Sequence, residues 1–186
     1  SELEGIANRT DYDLRRHSEF SKKDLSYRDD LTGEKYFPWV IESSAGVDRT
    51  ILVLLSDAYD IDQAPNDKGE MEERLVLRFS PKVAPVTVAV FPLFKKPGLS
   101  ELARQIEHSL RGPYRTAYDE TGNIGKRYRR QDEIGTPLCI TVDYDSLEDH
   151  AVTIRNRDTM RQIRVSVDQI HQAVADQLKE MEKPRG

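Results

Sequence analysis

The chain has 186 residues, of which 37% are hydrophobic and 33% are charged, and its net charge is -5. This length suits one large domain or one ordinary domain with part of another, and the composition supports a packed core under a strongly hydrated surface. The acidic balance argues against a protein that coats nucleic acid over its whole surface, and the sequence has no apolar run of the ~18 residues typical of a membrane span.

Two local features bear on where the protein works. The first residues, Ser1–Gly5, have neither the basic start nor the apolar core of a secretory signal. The single cysteine, Cys139, excludes an internal disulfide and fits a reducing compartment. Because Cys139 lies among Leu, Ile and Val, we expect a buried and unreactive thiol. These features predict a cytoplasmic protein without a membrane partner.

The first part of the chain predicts extended structure that leads into one apolar helix. Residues 1–45 are interpreted as extended segments with long loops, including a hairpin that turns at Asp29–Gly33. A helix is predicted from Val47 to Tyr59, and its residues 51–55 are apolar on every side, so we expect it to be buried all round. The preceding residues are too few to cover it, which indicates a piece of a larger domain.

An acidic stretch follows this helix. Between residues 57 and 73 there are seven acidic residues and one lysine, and Pro65–Gly69 is rich in turn-forming residues. We interpret this stretch as a linker or exposed loop that ends at a boundary in Pro81–Pro85. The predicted division is therefore residues 1–60, a linker over 61–84, and a domain over 85–186.

The rest of the chain predicts alternating strands and helices. The predicted strands are Val86–Phe91, Tyr114–Tyr118, Leu138–Val142, Ala151–Asn156 and Gln162–Val165, and the predicted helices are Leu99–Arg111, Ile124–Ile134 and one that follows Ser166. Ser166 and Gln169 predict a capping box for the last helix. Its apolar stripe is Val167, Ile170, Val174, Leu178 and Met181. This order implies an α/β, three-layer domain with a mixed sheet of about five strands flanked by helices.

Several generic sites are excluded by spacing. Gly122–Arg127 lacks the first glycine and the final Ser or Thr of a phosphate-binding loop. The four histidines have neither metal-ligand spacing nor a partnering cysteine pair, so no metal site is predicted.

The segment Val40–Thr50 concentrates polar groups where a strand meets the apolar helix. It places a carboxylate and hydroxyls at the strand end, a glycine where backbone can approach a ligand, and Arg49 in the first helical turn. An arginine beside a buried helix needs an anionic or aromatic partner. A ligand and a structural salt bridge both satisfy this requirement, and both interpretations stay open.

A second segment, Thr121–Pro137, carries a short basic helix between glycines. Further arginines lie on and after the predicted strand Ala151–Asn156. If this strand pairs with Gln162–Val165, alternation points Arg155 and Arg164 outward and puts Arg157 at the turn. Such cations can hold a phosphate backbone, and they can equally form a solvated surface.

Together these two segments resemble the homodimeric, class II glycyl-tRNA synthetases. The similarity continues in Glu2–Ala7, Asp11–Leu14, Thr32–Tyr36, Pro81–Pro85, Thr141–Asp145, Val152–Arg155 and Arg157–Met160. It covers nearly the whole chain except the acidic stretch. The resemblance implies the C-terminal strip of an antiparallel aminoacylation domain, followed by an anticodon-binding domain.

The resemblance also implies ligands for the strand and helix junction. Gly46–Arg49 looks like the third class II signature, so Arg49 would be catalytic and would lie against the adenine of ATP. The implied ATP-binding residues are Glu2, Leu3, Gly46, Val47, Asp48 and Arg49, and the implied glycine-binding residues are Glu42, Ser43, Ser44, Ala45 and Gly46. Ser43 replaces a usual proline and Trp39 a common histidine or tyrosine, which puts the shape of the pocket in question.

The expected partner of the second domain is the anticodon stem-loop of glycine tRNA. The candidate tRNA contacts are Lys126, Arg127, Arg129, Arg130, Arg155, Arg157 and Arg164. The resemblance implies that the full homodimeric enzyme activates glycine with ATP and Mg²⁺, and no tightly bound cofactor is expected in this part. The first and second class II signatures do not occur in the sequence, so we predict that the chain alone does not aminoacylate tRNA.

Two other interpretations are weighed against this one. A non-catalytic, synthetase-like accessory or nucleic-acid-binding protein would have no use for Glu42, Ser44 and Arg49. A flavodoxin-like nucleotide-binding enzyme fits the α/β order but would need the missing phosphate loop.

Overall fold

The computed structural model describes residues 2–65 and 69–183, and the chain divides into two compact units, residues 1–53 and residues 54–186. Most of the turn predicted at Pro65–Gly69 lies outside the described residues. No helix in the described ranges combines the length and the apolar character needed to cross a lipid bilayer.

Two antiparallel strand pairs organise the first unit. Strand β1 (Glu4–Thr10) pairs with β4 (Val40–Ala45), and the short strands β2 (Tyr27–Arg28) and β3 (Lys35–Tyr36) form a hairpin. This hairpin confirms the predicted turn, where the Gly33 N–H donates to the Asp29 carbonyl oxygen at 2.8 Å.

A helix that the sequence analysis missed follows β1. Helix α1 (Tyr12–Ser21) occupies a region predicted to be extended, and none of its residues is fully buried. Ion pairs one turn apart stabilise it, including Arg15 with Asp11 at 2.5 Å and Arg16 with Glu19 at 2.9 Å. Such a polar helix leaves no apolar periodicity in the sequence.

The apolar helix is present, but its predicted burial is wrong within the described chain. Helix α2 (Val47–Ala58) buries Ala58, whereas Val47, Ile51 and Leu52 are exposed.

The acidic stretch is a hairpin, which corrects the prediction of a linker or loop. Strands β5 (Tyr59–Pro65) and β6 (Met71–Leu77) pair antiparallel, with Asp62 directly opposite Arg74. Three of the acidic side chains, Asp60, Asp62 and Glu72, form ion pairs with arginines, so their charge does not require an exposed loop.

A mixed sheet of five strands lies at the centre of the second unit, as predicted. Its strands are β7 (Val88–Pro92), β8 (Thr116–Tyr118), β9 (Leu138–Val142), β10 (Ala151–Asn156) and β11 (Gln162–Ser166), arranged in the order β11-β10-β9-β7-β8. Strand β7 is parallel to β8 and β9, and β10 is antiparallel to β9 and β11.

Helices lie on both faces of this sheet. They are α3 (Pro97–Leu110), α4 (Ile124–Ile134), the short α5 (Ser146–Asp149) and α6 (Ile170–Met181). Helices α3 and α6 share one apolar core with residues such as Ile140, Val152 and Ile154. Helix α4 packs on the opposite face over Ala89, Phe91 and Cys139. The three-layer prediction is therefore confirmed for this unit.

The start of the last helix differs from the prediction. Ser166 is the last residue of β11 and makes no capping hydrogen bond with its side chain, and a 3-10 turn over Val167–Gln169 precedes α6. Because its backbone pairs with Ala151, Ser166 continues the strand and the capping box does not form. The predicted apolar stripe is confirmed, with Ile170, Val174 and Leu178 buried.

Candidate functional site

In the first unit, the pairing of β1 with β4 groups two of the predicted ligand residues. Gly5 lies opposite Ser44 and Ala7 lies opposite Glu42, and directly opposed residues project from the same face of a strand pair. The small residues on β1 therefore leave Glu42 and Ser44 uncovered. Alternation places Ser43 and Ala45 on the other face of β4.

Gly5 permits a close approach at this face. A Cβ atom at Gly5 would lie 2.7 Å from the Glu2 carboxylate oxygen and 3.4 Å from the Ser44 hydroxyl oxygen. The first of these distances is a steric overlap, so a larger residue would displace Glu2. Glu2 and Ser44 thus flank the same small volume above the strand pair.

Arg49 joins this group through the backbone. Its guanidinium donates to the Glu2 carbonyl oxygen at 2.5 Å, and Gly46 begins the helix by accepting from the Thr50 N–H at 3.0 Å. Arg49 is exposed, so the argument that a buried charge demands a partner does not apply. Within residues 2–65 and 69–183 it has no carboxylate within ion-pair distance, which removes the support for a structural salt bridge. Leu3, Val47 and Asp48 are exposed nearby in sequence.

Arg9 was not selected from the sequence, yet it lies beside Glu42, which is predicted to bind glycine. Its guanidinium lies 3.5 Å from the Glu42 carboxylate and also donates to Asp13 at 2.9 Å. The hydrogen bond from Arg9 lowers the pKa of Asp13. Arg9 is the cation that any ammonium group bound at Glu42 would meet.

In the second unit, the strand register creates a polar surface on one side of the sheet. Thr141 pairs with Thr153, and Arg155 lies opposite both Cys139 and Gln162. Helix α4 covers Cys139 but leaves the polar positions beyond it partly open.

Two adjoining cavities follow this surface, and together we name them the trough. The larger has a volume of about 490 Å³ and is lined by residues that include Lys126, Tyr128, Arg129, Arg155 and Gln162. The smaller, of about 230 Å³, shares Tyr128 and Gln162 and adds residues that include Leu93, Thr141, Asp143 and Thr153. The trough therefore combines an aromatic ring, neutral hydrogen-bonding groups and cations.

The cations of α4 divide into exposed and buried groups. Lys126 is exposed, and it has no carboxylate within ion-pair distance in the described residues. Arg129 bonds Glu72 at 3.1 Å, and Arg130 bonds Asp119 and the Thr121 carbonyl oxygen.

Arg127 is buried, which contradicts its prediction as a surface cation. Its guanidinium donates to the carbonyl oxygens of Pro92, Leu93 and Gly122. Burial lowers the pKa of Arg127. The side chain ties α4 to the loop after β7, so its role in the described fold is structural.

Arg155 and Arg157 are also buried rather than available on the surface. Arg155 forms two hydrogen bonds with Asp132, at 2.8 and 3.0 Å. Arg157 donates to the carbonyl oxygens of Gly135 and Phe79 at 2.7 and 2.9 Å. Alternation correctly placed Arg155 on the face away from the apolar core, but the hairpin and α4 enclose it there. Both guanidinium groups are held by partners within the chain, so neither is free at the surface.

Arg164 faces outward as predicted but is held by two carboxylates. It bonds Asp143 at 2.9 and 3.2 Å and Asp149 at 2.9 and 3.0 Å. Lys126, Arg129, Arg130 and Arg164 thus remain at or near the surface among the predicted tRNA contacts.

Comparisons with known proteins identify the second unit. The anticodon binding domain family matches residues 87–177. A glycine--tRNA ligase of Bifidobacterium longum is 59% identical over 180 residues, which cover 96% of this chain and 37% of that protein. The chain is a relative of glycine–tRNA ligases that carries an anticodon-binding domain.

Other relatives agree over the same span. The glycine--tRNA ligase of Thermobifida fusca is 56% identical over 177 residues, covering 95% of this chain and 38% of that protein. That of Treponema denticola is 51% identical over 179 residues, covering 96% of this chain and 40% of that protein. The chain spans about two fifths of the length of these curated relatives.

The anticodon-binding domain contains trough residues that the sequence analysis did not select. Tyr128 donates to or accepts from the Thr141 hydroxyl at 2.6 Å, and burial raises the pKa of its phenol, so the ring stays neutral. Gln162 lines both cavities. The sequence signal that could have revealed the trough is a polar residue in each of three neighbouring strands, namely Thr141, Thr153 and Gln162.

Proposed function

We propose that the chain is part of a glycine–tRNA ligase and that its second unit binds the anticodon stem-loop of glycine tRNA in the trough. The names of the relatives and the match to the anticodon binding domain support this proposal. The observation that carries it is the trough itself, which offers Tyr128 and Gln162 beside the exposed Lys126.

These groups suit an RNA loop. Unpaired bases are recognised through stacking and hydrogen bonds to their edges, while cations contact the phosphates. Gln162 supplies both a donor and an acceptor, and the Thr153 hydroxyl lies along the same surface. Lys126, near the start of α4, supplies a charge that can follow a mobile phosphate backbone.

For the first unit we propose a share of the glycine and ATP site of the whole enzyme. The Glu42 carboxylate would pair with the α-ammonium of glycine, beside Ser44 and above Gly5. Arg49 would lie against ATP, where its planar guanidinium can stack and attract phosphate. ATP with Mg²⁺, a homodimeric enzyme and a cytoplasmic site of action belong to the same proposal.

RNA binding tests the proposal for the second unit. We expect the 186-residue chain to bind a labelled anticodon stem-loop of glycine tRNA in a fluorescence anisotropy titration at low salt. Lys126→Glu should weaken binding and reduce the slope of log affinity against log salt by about 1, because one phosphate contact is lost.

Lys179→Glu is the matched control, because Lys179 is an exposed cation on α6 across the sheet. Both variants change the net charge equally. Equal losses from the two variants would indicate a general charge effect, and absence of stem-loop binding by the unaltered chain would refute the assignment.

A further inference from the structure

Phe94 and Tyr144 form an exposed aromatic pair in the second unit. Their ring centroids are 5.7 Å apart with an interplanar angle of 31°, and 52% of Phe94 and 44% of Tyr144 remain exposed. The Lys96 ammonium lies 5.0 Å from the centroid of the tyrosine ring. Leu147, whose N–H donates to the Tyr144 carbonyl oxygen at 3.1 Å, is 45% exposed. The folded domain thus keeps adjoining aromatic rings in water, with a cation over the face of the Tyr144 ring.

The pair lies where two parallel strands end. Phe94 follows β7 and Tyr144 follows β9, which are neighbours in the sheet. The chain leaves β7 toward β8 on one side and leaves β9 toward β10 on the other. In open α/β sheets, ligands bind outside the carboxyl ends of the strands, which is where both rings lie.

Hydrogen bonds fix the turns that carry both rings. The Leu93 N–H donates to the Val142 carbonyl oxygen at 2.7 Å, which holds the loop after β7 against β9. After β9, the Ser146 N–H and hydroxyl each donate to Asp143 at 2.9 Å. Rings on such turns are already positioned, so a ligand that stacks on them pays little additional ordering entropy.

The trough extends to the residues that precede this pair in sequence. Leu93 and Asp143, the sequence neighbours of the two aromatic residues, line its smaller cavity. A nucleic acid loop in the trough would therefore continue toward the aromatic surface. Unpaired bases stack on exposed aromatic side chains, and a nearby cation can contact the adjoining phosphate.

We propose that Phe94 and Tyr144 form a stacking platform for an unpaired base of the RNA loop held in the trough. This inference rests on the proposed function, and it assigns base stacking to residues outside the basic helix. Lys96 lies over one face of the Tyr144 ring and supplies the charge of the platform.

Leucine substitutions test the platform by removing the rings while keeping apolar bulk. We expect Phe94→Leu and Tyr144→Leu in the 186-residue chain each to weaken stem-loop binding about 5- to 150-fold, which corresponds to the loss of one base stack. The salt slope should stay unchanged because no charge is removed. Tyr144→Phe keeps the ring and should retain the affinity. Tyr59→Leu, at an exposed tyrosine in β5, is the matched control and should also retain it.

A fluorescent base provides an independent readout. With 2-aminopurine placed singly along the loop, one position should be quenched on binding to the unaltered chain, and Tyr144→Leu should abolish that quenching. Unchanged affinity and quenching in both leucine variants would overturn the platform while stem-loop binding by the unaltered chain preserves the proposed function. Self-association that disappears in these variants, with RNA affinity intact, would assign the surface to a protein contact and also overturn it. If the unaltered chain does not bind RNA, both proposals fall.

Discussion

The guanidinium of Arg155 and the carboxylate of Asp132 form a bidentate ion pair between the polar face of the sheet and helix α4, with N–O distances of 2.8 and 3.0 Å. Both side chains are almost completely buried. The same guanidinium lies 4.8 Å from the centroid of the Tyr128 ring. Because bidentate pairs fix the orientation of arginine, this contact helps to position an aromatic wall of the trough.

Arg74 connects the hairpin of β5 and β6 to this ion pair. Its guanidinium donates to Asp132 at 3.1 Å, to the Arg157 carbonyl oxygen at 2.9 Å and to Asp62 at 2.7 Å. The hydrogen bond from Arg74 lowers the pKa of Asp62, although burial opposes this shift. The hairpin lies outside residues 87–177, which match the anticodon binding domain family, yet buried charges join it to them.

We predict that Asp132→Asn lowers the free energy of unfolding by about 3–5 kcal/mol, because it leaves two buried guanidinium groups without their shared carboxylate. Urea denaturation followed by circular dichroism measures this loss. Glu133→Gln, at the exposed neighbour on α4, should change stability by no more than about 0.5 kcal/mol. A loss below about 1 kcal/mol for Asp132→Asn would contradict the importance of the buried pair.

Gly135 should not tolerate a side chain. It ends α4 with a φ of 82°, and a Cβ atom there would lie 2.5 Å from the Phe79 ring and 2.7 Å from the Leu77 carbonyl oxygen. We predict that Gly135→Ala destabilises the chain by about 2–5 kcal/mol, through backbone strain and steric overlap.

Gly122→Ala separates these two causes. Gly122 has a φ of 71°, but the nearest atom to its added Cβ would be Lys126 Cδ at 3.9 Å. This variant should lose about 1–2 kcal/mol from strain alone. Equal losses of unfolding free energy for the two variants in urea denaturation would show that steric overlap of the added Cβ with Phe79 and Leu77 does not destabilise the chain.

The sheet of the second unit could be predicted because its strands are marked locally. Val88–Pro92 is a continuous apolar run, Leu138–Val142 is interrupted only by Thr141, and Val152 and Ile154 alternate with polar residues. The hairpin of β5 and β6 could not be predicted in this way. Arg74 and Asp132 are separated by 58 positions, so the sequence gives no sign that the acidic stretch has buried partners.

The two proposed sites also differ in whether a local stretch of sequence marks them. Glu42, Ser44 and Arg49 belong to one short segment, and the resemblance found them together. The trough depends on the register that sets Thr141 beside Thr153, which no local motif encodes. Alternation gave the face of Arg155 correctly, but it could not reveal that the hairpin and α4 enclose that position.

Glu120 should titrate at an unusually low pH. Its carboxylate accepts hydrogen bonds from Tyr118 at 2.5 Å and Ser100 at 3.1 Å and pairs with Lys95 at 3.1 Å. The Tyr118 hydrogen bond contributes most to lowering the pKa of Glu120 from 4.5 to about 2. Because the folded pKa is depressed, the stabilisation is present above about pH 4.5 and is lost as the pH falls through about 2.

An NMR titration of the Glu120 carboxyl carbon checks this prediction. Tyr118→Phe should raise the pKa of Glu120 and reduce the fall in Tm over the acid range, because the largest stabilising hydrogen bond to the carboxylate is removed. A midpoint near the ordinary value of 4.5 in the unaltered chain would contradict the interaction.

The Cys139 thiol should be inert in the folded chain. It is buried in β9, and burial raises its pKa far above the ordinary value, so the reactive thiolate does not form near neutral pH. We expect Ellman's reagent at pH 8 to react only as fast as the domain opens. The same chain unfolded in guanidinium chloride is the control and should react fully within minutes. Comparable rates in the folded and unfolded chains would contradict burial of the thiol.

Finally, we predict that the 186-residue chain binds the anticodon stem-loop but does not catalyse glycine-dependent exchange between pyrophosphate and ATP. Glu42, Ser44 and Arg49 lie on an exposed surface, where water screens their charges and leaves a small substrate free to reorient. Electrostatic stabilisation of a transition state requires a preorganised and water-excluded site. The exchange assay should use the full-length Thermobifida fusca relative as its positive control, and stem-loop binding in the same preparation should establish that the chain is folded. Exchange above background by the isolated chain, abolished by Arg49→Ala, would show that these residues suffice without further enclosure.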